Sequence, residues 1–269
     1  MVYLSSFMVS EHRMRNPNVY PYHVFRKKEI YPMVFAPITV FYGNNGSGKS
    51  TLLNIIAQKA GVRGCETYAY GQNYIDKFVG ECKFDVGEDD SGRRLCIPKD
   101  SLYIKSEDIL YEIKKIQQEE ALERGYVYEK MKEKGVGRTE AEHEFQSGKG
   151  MAWSRKEIIQ FAQEKYSNGE TAMQLLMDAF APDNLYLLDE PEVSLSPQNQ
   201  VKLAEEVNKL ARFLGCQFMI ATHSPFMLGT LKAKIYNLDS DSMEEAKWYE
   251  LENVRFFYEF FEKNREWFR

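Results

Sequence analysis

The run Gly43-Asn44-Asn45-Gly46-Ser47-Gly48-Lys49-Ser50-Thr51 limits what this chain can fold into more than any other stretch. It has the form G-x-x-x-x-G-K-[ST], the phosphate-binding P-loop. Glycines at 43, 46 and 48 let the backbone turn tightly and bring successive N–H groups against phosphate oxygens. Lys49 supplies a compact positive charge for the β- and γ-phosphates, and the Ser50 hydroxyl is a ligand for Mg²⁺. Residues 38–42 are β-branched and aromatic and predict a buried strand entering the loop. Residues 52–57 predict the helix leaving it, its N-terminus aimed at the anion. Asn45 through Thr51 are therefore the expected nucleotide-binding residues, on an α/β framework.

The chain has 269 residues, 43% of them hydrophobic, enough for one large α/β domain or two small ones. A net charge of -5 gives no global reason to expect nucleic acid or an anionic membrane, and it leaves a local basic face open. The four cysteines form no C-x-x-C pair and do not cluster with the four histidines as zinc ligands do. They read as reduced thiols. With no signal-peptide pattern and no uncharged run long enough to span a bilayer, the expected setting is the cytoplasm, without membrane insertion.

Along the chain, residues 2–9 suit a first strand. Tyr20, Tyr22 and Phe25 are candidates for stacking on a base or for packing an edge of the sheet, and the second is favoured. Residues 65–100 read as long loops and short strands. Residues 101–105 have strand character, and Glu107 follows at the end where ligands sit in an open α/β sheet. Three charged helical stretches, 109–124, 127–134 and 154–165, form an expected helical insertion (109–166) within a single domain spanning 1–269. Intermixed charges of this kind usually mark a solvated face. Short apolar strands at 184–188, 218–221 and 234–238 alternate with helices, which predicts a mostly parallel sheet flanked by helices. An aromatic helix at 254–268 is expected to dock its Phe256, Phe257, Phe260 and Phe261 onto that sheet.

The strand at 184–188 ends in Asp189-Glu190. In a P-loop enzyme the first carboxylate holds Mg²⁺, directly or through water. The second can polarise the attacking water, a general-base task. His223 follows the next buried strand, where an imidazole can contact both the γ-phosphate and that water. Lys49, Glu190 and His223 are the expected catalytic residues, and Ser50 and Asp189 the expected metal ligands.

Taken in order, the P-loop, Tyr166-Ser167-Asn168-Gly169-Glu170, Leu185–Glu190, Ser194-Leu195-Ser196-Pro197 and His223 resemble the ABC-type ATPases. More narrowly, the chain is similar to the small stand-alone bacterial ATPases of the SMC and recombination-like group. These share the Leu-Tyr-Leu-Leu-Asp-Glu-Pro-Glu run, Ala-Thr-His-Ser-Pro and an aromatic tail. The resemblance implies hydrolysis of ATP to ADP and phosphate, with ATP sandwiched in a homodimer. Ser167, Gly169 and Glu170 would then face the nucleotide held by the partner's P-loop. It also implies that Glu107 takes the place of a glutamine that touches Mg²⁺ and water, with Gln72 a rival. The expected role is an ATP-driven switch in DNA maintenance or phage defence, and a partner protein could dock on the insertion. The alternatives are the ATP-binding subunit of a membrane transporter and a slow ATP-dependent scaffold for a partner nuclease.

Overall fold

A computed structural model describes residues 1–16, 18–68, 70–111 and 168–268. The chain divides into two compact units, one of residues 1–106 with 181–269, the other of residues 107–180. In chain order the strands are β1 (Leu4–Met8), β2 (Met33–Val34), β3 (Ile38–Tyr42), β4 (Lys83–Val86), β5 (Leu102–Lys105), β6 (Leu185–Asp189), β7 (Gln217–Ala221) and β8 (Lys234–Asn237). The numbered helices are α1 (Tyr22–Phe25), α2 (Lys49–Ala60), α3 (Gln72–Glu81), α4 (Asn168–Asp178), α5 (Pro197–Phe213), α6 (Pro225–Thr230) and α7 (Glu252–Lys263).

Five strands form a parallel sheet in the order β5-β6-β7-β3-β8. Every residue of β3, β6 and β7 is buried, as continuous apolar runs require when both sheet faces are covered. The fold is therefore α/β, with a parallel sheet flanked by helices. Because β7 separates β3 from β6, the carboxyl ends of these strands lie side by side within about 10 Å, two strand spacings. A second, antiparallel sheet of order β2-β1-β4 is built by the N-terminal segment. Two side chains tie it to the first. Tyr236 OH of β8 accepts from the Val34 N–H of β2 and donates to the Val34 carbonyl, both at 2.9 Å. Gln217, fully buried at the start of β7, accepts from the Tyr3 and Leu4 N–H groups at 2.8 and 2.9 Å. Its amide nitrogen donates to the Leu4 and Ala36 carbonyls.

Two sequence expectations are corrected. Loops and short strands were expected over 65–100, yet α3 stands there. Only Ile75 and Phe78 of this helix are buried, too few apolar anchors to mark a helical period in an otherwise polar run. Phe78 packs edge-on against Tyr22, ring centroids 4.8 Å apart, and stacks on Phe25 at 5.6 Å. Those two aromatics are thus core residues. The aromatic tail differs too. In α7 only Val254 is buried, while Phe256, Phe260 and Phe261 are 64%, 53% and 49% exposed. The helix is anchored at its N-terminal end, where Asn253 bonds to Tyr42 and to the His223 carbonyl, and its aromatic face is left to solvent.

Residues 106–111 are helical, and the helices expected over 127–134 and 154–165 lie outside the described residues. Among the described residues no helix is long and apolar enough to cross a membrane.

Replacing Gln217 by Leu keeps the volume but strands two N–H groups and two carbonyls in the core, each a loss of about 1–3 kcal/mol. Q217L is expected to lower unfolding stability by about 4 kcal/mol or more, the low end for four such groups, read by urea denaturation. A loss below about 0.5 kcal/mol would show that the two sheets do not depend on this amide.

Candidate active site

The P-loop leaves β3 and closes on α2. Gly48, the residue before α2, has a left-handed φ of 98°, and a Cβ there would lie 2.5 Å from Val24 Cγ1. Only glycine fits both constraints. At Gly43 a Cβ would lie 2.4 Å from Ser47 Oγ. The loop is braced from outside by Asp239, which follows β8 and whose carboxylate oxygens accept from Asn44 N–H at 2.9 and 3.0 Å. Thr51, in the first turn of α2, accepts from Tyr20 OH at 3.4 Å. Tyr20, one of the three N-terminal aromatic candidates for base stacking, is thereby joined to this helix.

Lys49 is buried, and its ammonium donates to the Gly43 and Asn44 carbonyls at 2.8 and 3.2 Å. It also lies 3.6 Å from Glu190 Oε1. Ser50 Oγ donates to Asp189 Oδ1 at 3.0 Å, and Tyr103 OH donates to Asp189 Oδ2 at 3.1 Å. Burial pushes the Asp189 carboxyl above the ordinary carboxylate range, against the pull of the Ser50 and Tyr103 hydroxyls and of Lys105. A desolvated carboxylate that holds a proton tightly also favours a cation. Ser50 Oγ and Asp189 Oδ1 are the oxygen pair that can take Mg²⁺, a hard ion that prefers a few protein oxygens and keeps its phosphate and water ligands.

Glu190 has a φ of 48°, in the left-handed region that non-glycine residues rarely occupy. Its N–H is held by the Ala221 carbonyl at 2.9 Å. Such a turn costs on the order of 1 kcal/mol and marks a functional position more often than an accident. It swings the Glu190 side chain away from that of Asp189. The Glu190 carboxylate, 29% exposed, then lies between Lys49 and His223 Nδ1, which is 3.8 Å away. His223, just beyond β7, is 41% exposed on its side chain.

Lys49, Ser50, Asp189, Glu190 and His223, taken from three separate stretches of sequence, thus meet at one edge of the sheet. Among the described residues, three buried side-chain polar atoms lack a partner: Ser47 Oγ, Glu192 Oε2 and His223 Nδ1. All three border this site. Buried polar atoms are normally bonded, so a cluster of such atoms beside a glycine-lined loop is the mark of a site shaped for something else to bind. The residues present fit a nucleoside triphosphate with Mg²⁺.

The remaining expected site residues fall elsewhere. Gly169 and Glu170 lie in the first turn of α4, in the second unit, and Ser167 lies outside the described residues. Glu107 is exposed and opens the second unit. Gln72 spends its amide on Tyr68 N–H and the Asp76 carboxylate. On β5 the residue in register with Asp189 is Lys105, which pairs with Glu66. Lys105, Tyr103, Asp239 and Glu192 were missed from sequence. A lysine or tyrosine on a strand has no motif spacing, whereas Glu192 is signalled by its place in the Asp-Glu-Pro-Glu run.

Comparison with known proteins adds a family. A sequence profile described as "AAA domain, putative AbiEii toxin, Type IV TA system" matches residues 87–229, more than half of the chain. The match takes in Asp189, Glu190 and His223 and begins beyond the P-loop. No curated protein sequence matches the chain. Among solved structures, the chain is similar to the Smc head domain of Pyrococcus furiosus, with an extended coiled coil and bound to the C-terminal domain of ScpA. The two are 14% identical over 88% of this chain and 93% of that one, with a TM-score of 0.43. The SMC head domain of Thermotoga maritima is 12% identical over 87% and 94%, with a TM-score of 0.43. The ATP-binding cassette MJ0796, in a dimeric post-hydrolysis state bound to ADP and Pi, is 14% identical over 92% and 99%, with a TM-score of 0.44. It is the profile match that assigns the chain: it belongs to this AAA-domain family.

Proposed function

We propose that the chain hydrolyses ATP to ADP and phosphate and uses ATP binding to join two copies of itself. The observation that carries this is the convergence of Lys49, Ser50, Asp189, Glu190 and His223, with Glu190 within reach of both the cation and the imidazole. In this reading the P-loop backbone cradles the phosphates and Lys49 leaves its two carbonyls for the β- and γ-phosphate oxygens. Mg²⁺, held by Ser50 and Asp189, would neutralise phosphate charge. Glu190 orients a water in line with the γ-phosphorus and accepts its proton as the bond to the β-phosphate oxygen breaks and ADP departs. His223 contacts the γ-phosphate and the same water. Ser167, Gly169 and Glu170 serve the nucleotide of the opposite protomer, which makes the dimer ATP-dependent.

The setting proposed is the cytoplasm, and the role a switch in DNA maintenance or phage defence. The word toxin in the family's description favours a switch directed at another macromolecule over the ATP-binding subunit of a transporter. A second reading, a slow scaffold for a partner nuclease, is favoured by the exposed aromatic face of α7. Turnover that rises when such a partner is added would select it.

Glu190→Gln is expected to cut steady-state ATP hydrolysis by about 100-fold or more, the range of a general base, while ATP binding persists. Lys49→Ala is expected to lose ATP binding itself. Hydrolysis unchanged in Glu190→Gln would remove Glu190 from the mechanism.

Light scattering of Glu190→Gln with Mg-ATP is expected to give twice the mass seen without nucleotide. Adding Ser167→Arg should return it to a monomer. A monomer in every condition would defeat the sandwich and leave the P-loop chemistry standing.

A further inference from the structure

In a parallel sheet, residues in register on neighbouring strands point the same way, on strands about 4.8 Å apart. Lys105 at the end of β5 and Asp189 at the end of β6 are such a pair. Opposite charges placed side by side on neighbouring strands ordinarily attract and bond. Here they do not. Asp189 takes the Ser50 and Tyr103 hydroxyls instead, and Lys105, 12% exposed on its side chain, turns to Glu66. Among the described residues, Glu66 is the one ion-pair partner of Lys105.

The Lys105 ammonium stays close to the site. It lies 5.6 Å from the centre of the Tyr103 ring, whose hydroxyl donates to Asp189. Burial pushes the Asp189 carboxyl up, and the charge of Lys105 is among the influences that draw it back. The flexible four-carbon stem of a lysine can carry the ammonium across to the neighbouring carboxylate. Glu66, by contrast, is fastened on several sides. Its N–H donates to Asn54 Oδ1 and its carbonyl accepts from Gln58 Nε2, both at 2.9 Å, and both partners belong to α2. Its Oε2 accepts from Tyr68 OH at 2.6 Å. Asn54 is itself buried. The carboxylate is therefore the fixed member of the pair and the lysine the movable one.

We propose that Glu66 is a positioning residue for the metal site: it holds Lys105 off Asp189 and so keeps the Ser50–Asp189 oxygen pair open to Mg²⁺. The proposal rests on the reading of that pair as metal ligands. An ammonium and a metal ion compete for a buried carboxylate, because either can replace the solvation that burial removed. With Lys105 on Glu66, the lysine's charge is balanced where it lies, and a divalent cation at Asp189 meets less repulsion. Without Glu66, the lysine at the end of β5 would close the site it borders.

The test is a titration with Mn²⁺, which takes oxygen ligands as Mg²⁺ does and is read by electron paramagnetic resonance. It is added to the full chain held in excess over ADP, so that the nucleotide is protein-bound throughout. Glu66→Gln keeps the size of the side chain and its bond from Tyr68 while turning an NH₂ toward Lys105. It is expected to weaken Mn²⁺ binding by about tenfold or more, the effect of one opposite charge on a carboxylate. Lys105→Met is expected to bind Mn²⁺ at least as tightly as wild type, and the double variant Glu66→Gln/Lys105→Met to recover wild-type affinity. ADP affinity measured in EDTA should be the same in each of these proteins. An ion pair that merely braces the fold predicts otherwise: either single variant does the same harm and the double does no better. Unchanged Mn²⁺ affinity in Glu66→Gln, no recovery in the double variant, or weakened binding in Lys105→Met alone would each overturn the assignment. The last of these needs no folded Glu66 variant. Loss of ADP affinity in Lys105→Met would overturn it too, by making the lysine a phosphate ligand. Asp189→Asn keeps the two readings distinguishable. If that variant binds Mn²⁺ as tightly as wild type, Asp189 is no ligand and the metal reading falls, taking the proposal with it.

Discussion

Strand β7 is bonded on both edges, to β3 on one side and to β6 on the other, and the site exists because of that. Its ladder extends past its own ends. Thr222 N–H bonds to the Phe41 carbonyl, and Glu190 N–H bonds to the Ala221 carbonyl. The three strand ends are thereby set in register to within one peptide, which is why Lys49, Asp189, Glu190 and His223 can share one small volume. In a parallel sheet the side chains at paired positions point the same way, so a one-residue slip would turn Asp189 or its neighbours to the opposite face. Gln217 at the other end of β7 fixes the start of the strand through the N-terminal sheet. The site is thus held from both ends of one buried strand.

Electrostatics gives this edge its character. Three acidic groups, Asp189, Glu190 and Glu192, sit within four residues of one another, and they are kept apart by environment. Asp189 is bonded to Ser50 and Tyr103, Glu190 lies beside Lys49, and Glu192 is buried under Thr222 and His223. The left-handed turn at Glu190 sends adjacent carboxylates in different directions. The exposed aromatic helix α7 enters this network through Asn253, which holds the His223 carbonyl and takes the Tyr42 hydroxyl on its N–H. A covering placed on α7 would therefore bear directly on the turn that carries His223.

The legible parts of the site were those written as short motifs on strong local patterns. Gly43 to Thr51 between a β-branched strand and a helix, and the apolar runs ending at Asp189 and Ala221, announce both element and chemistry. Elements with weak periodicity were not legible. Helix α3 shows two buried side chains in ten residues, and its place in the core comes from Tyr22 and Phe25, some fifty residues earlier. The tail failed for the opposite reason. Its aromatic content argued for burial, but burial depends on which neighbour offers a face, and composition carries no information about that.

The sequence by itself determined that a phosphate-binding loop, an Asp-Glu pair and a histidine each cap a buried strand of a parallel α/β sheet, because apolar period and glycine placement act locally. Tertiary structure alone decided which strands are neighbours, and hence that Lys105 and Tyr103 flank Asp189, that Asp239 braces the P-loop, and that Glu192 lies under His223. Those contacts join residues from 30 to 195 positions apart, the shortest being those of Glu192 with Thr222 and His223. They follow from strand order and register, which are fixed when the core packs as a whole.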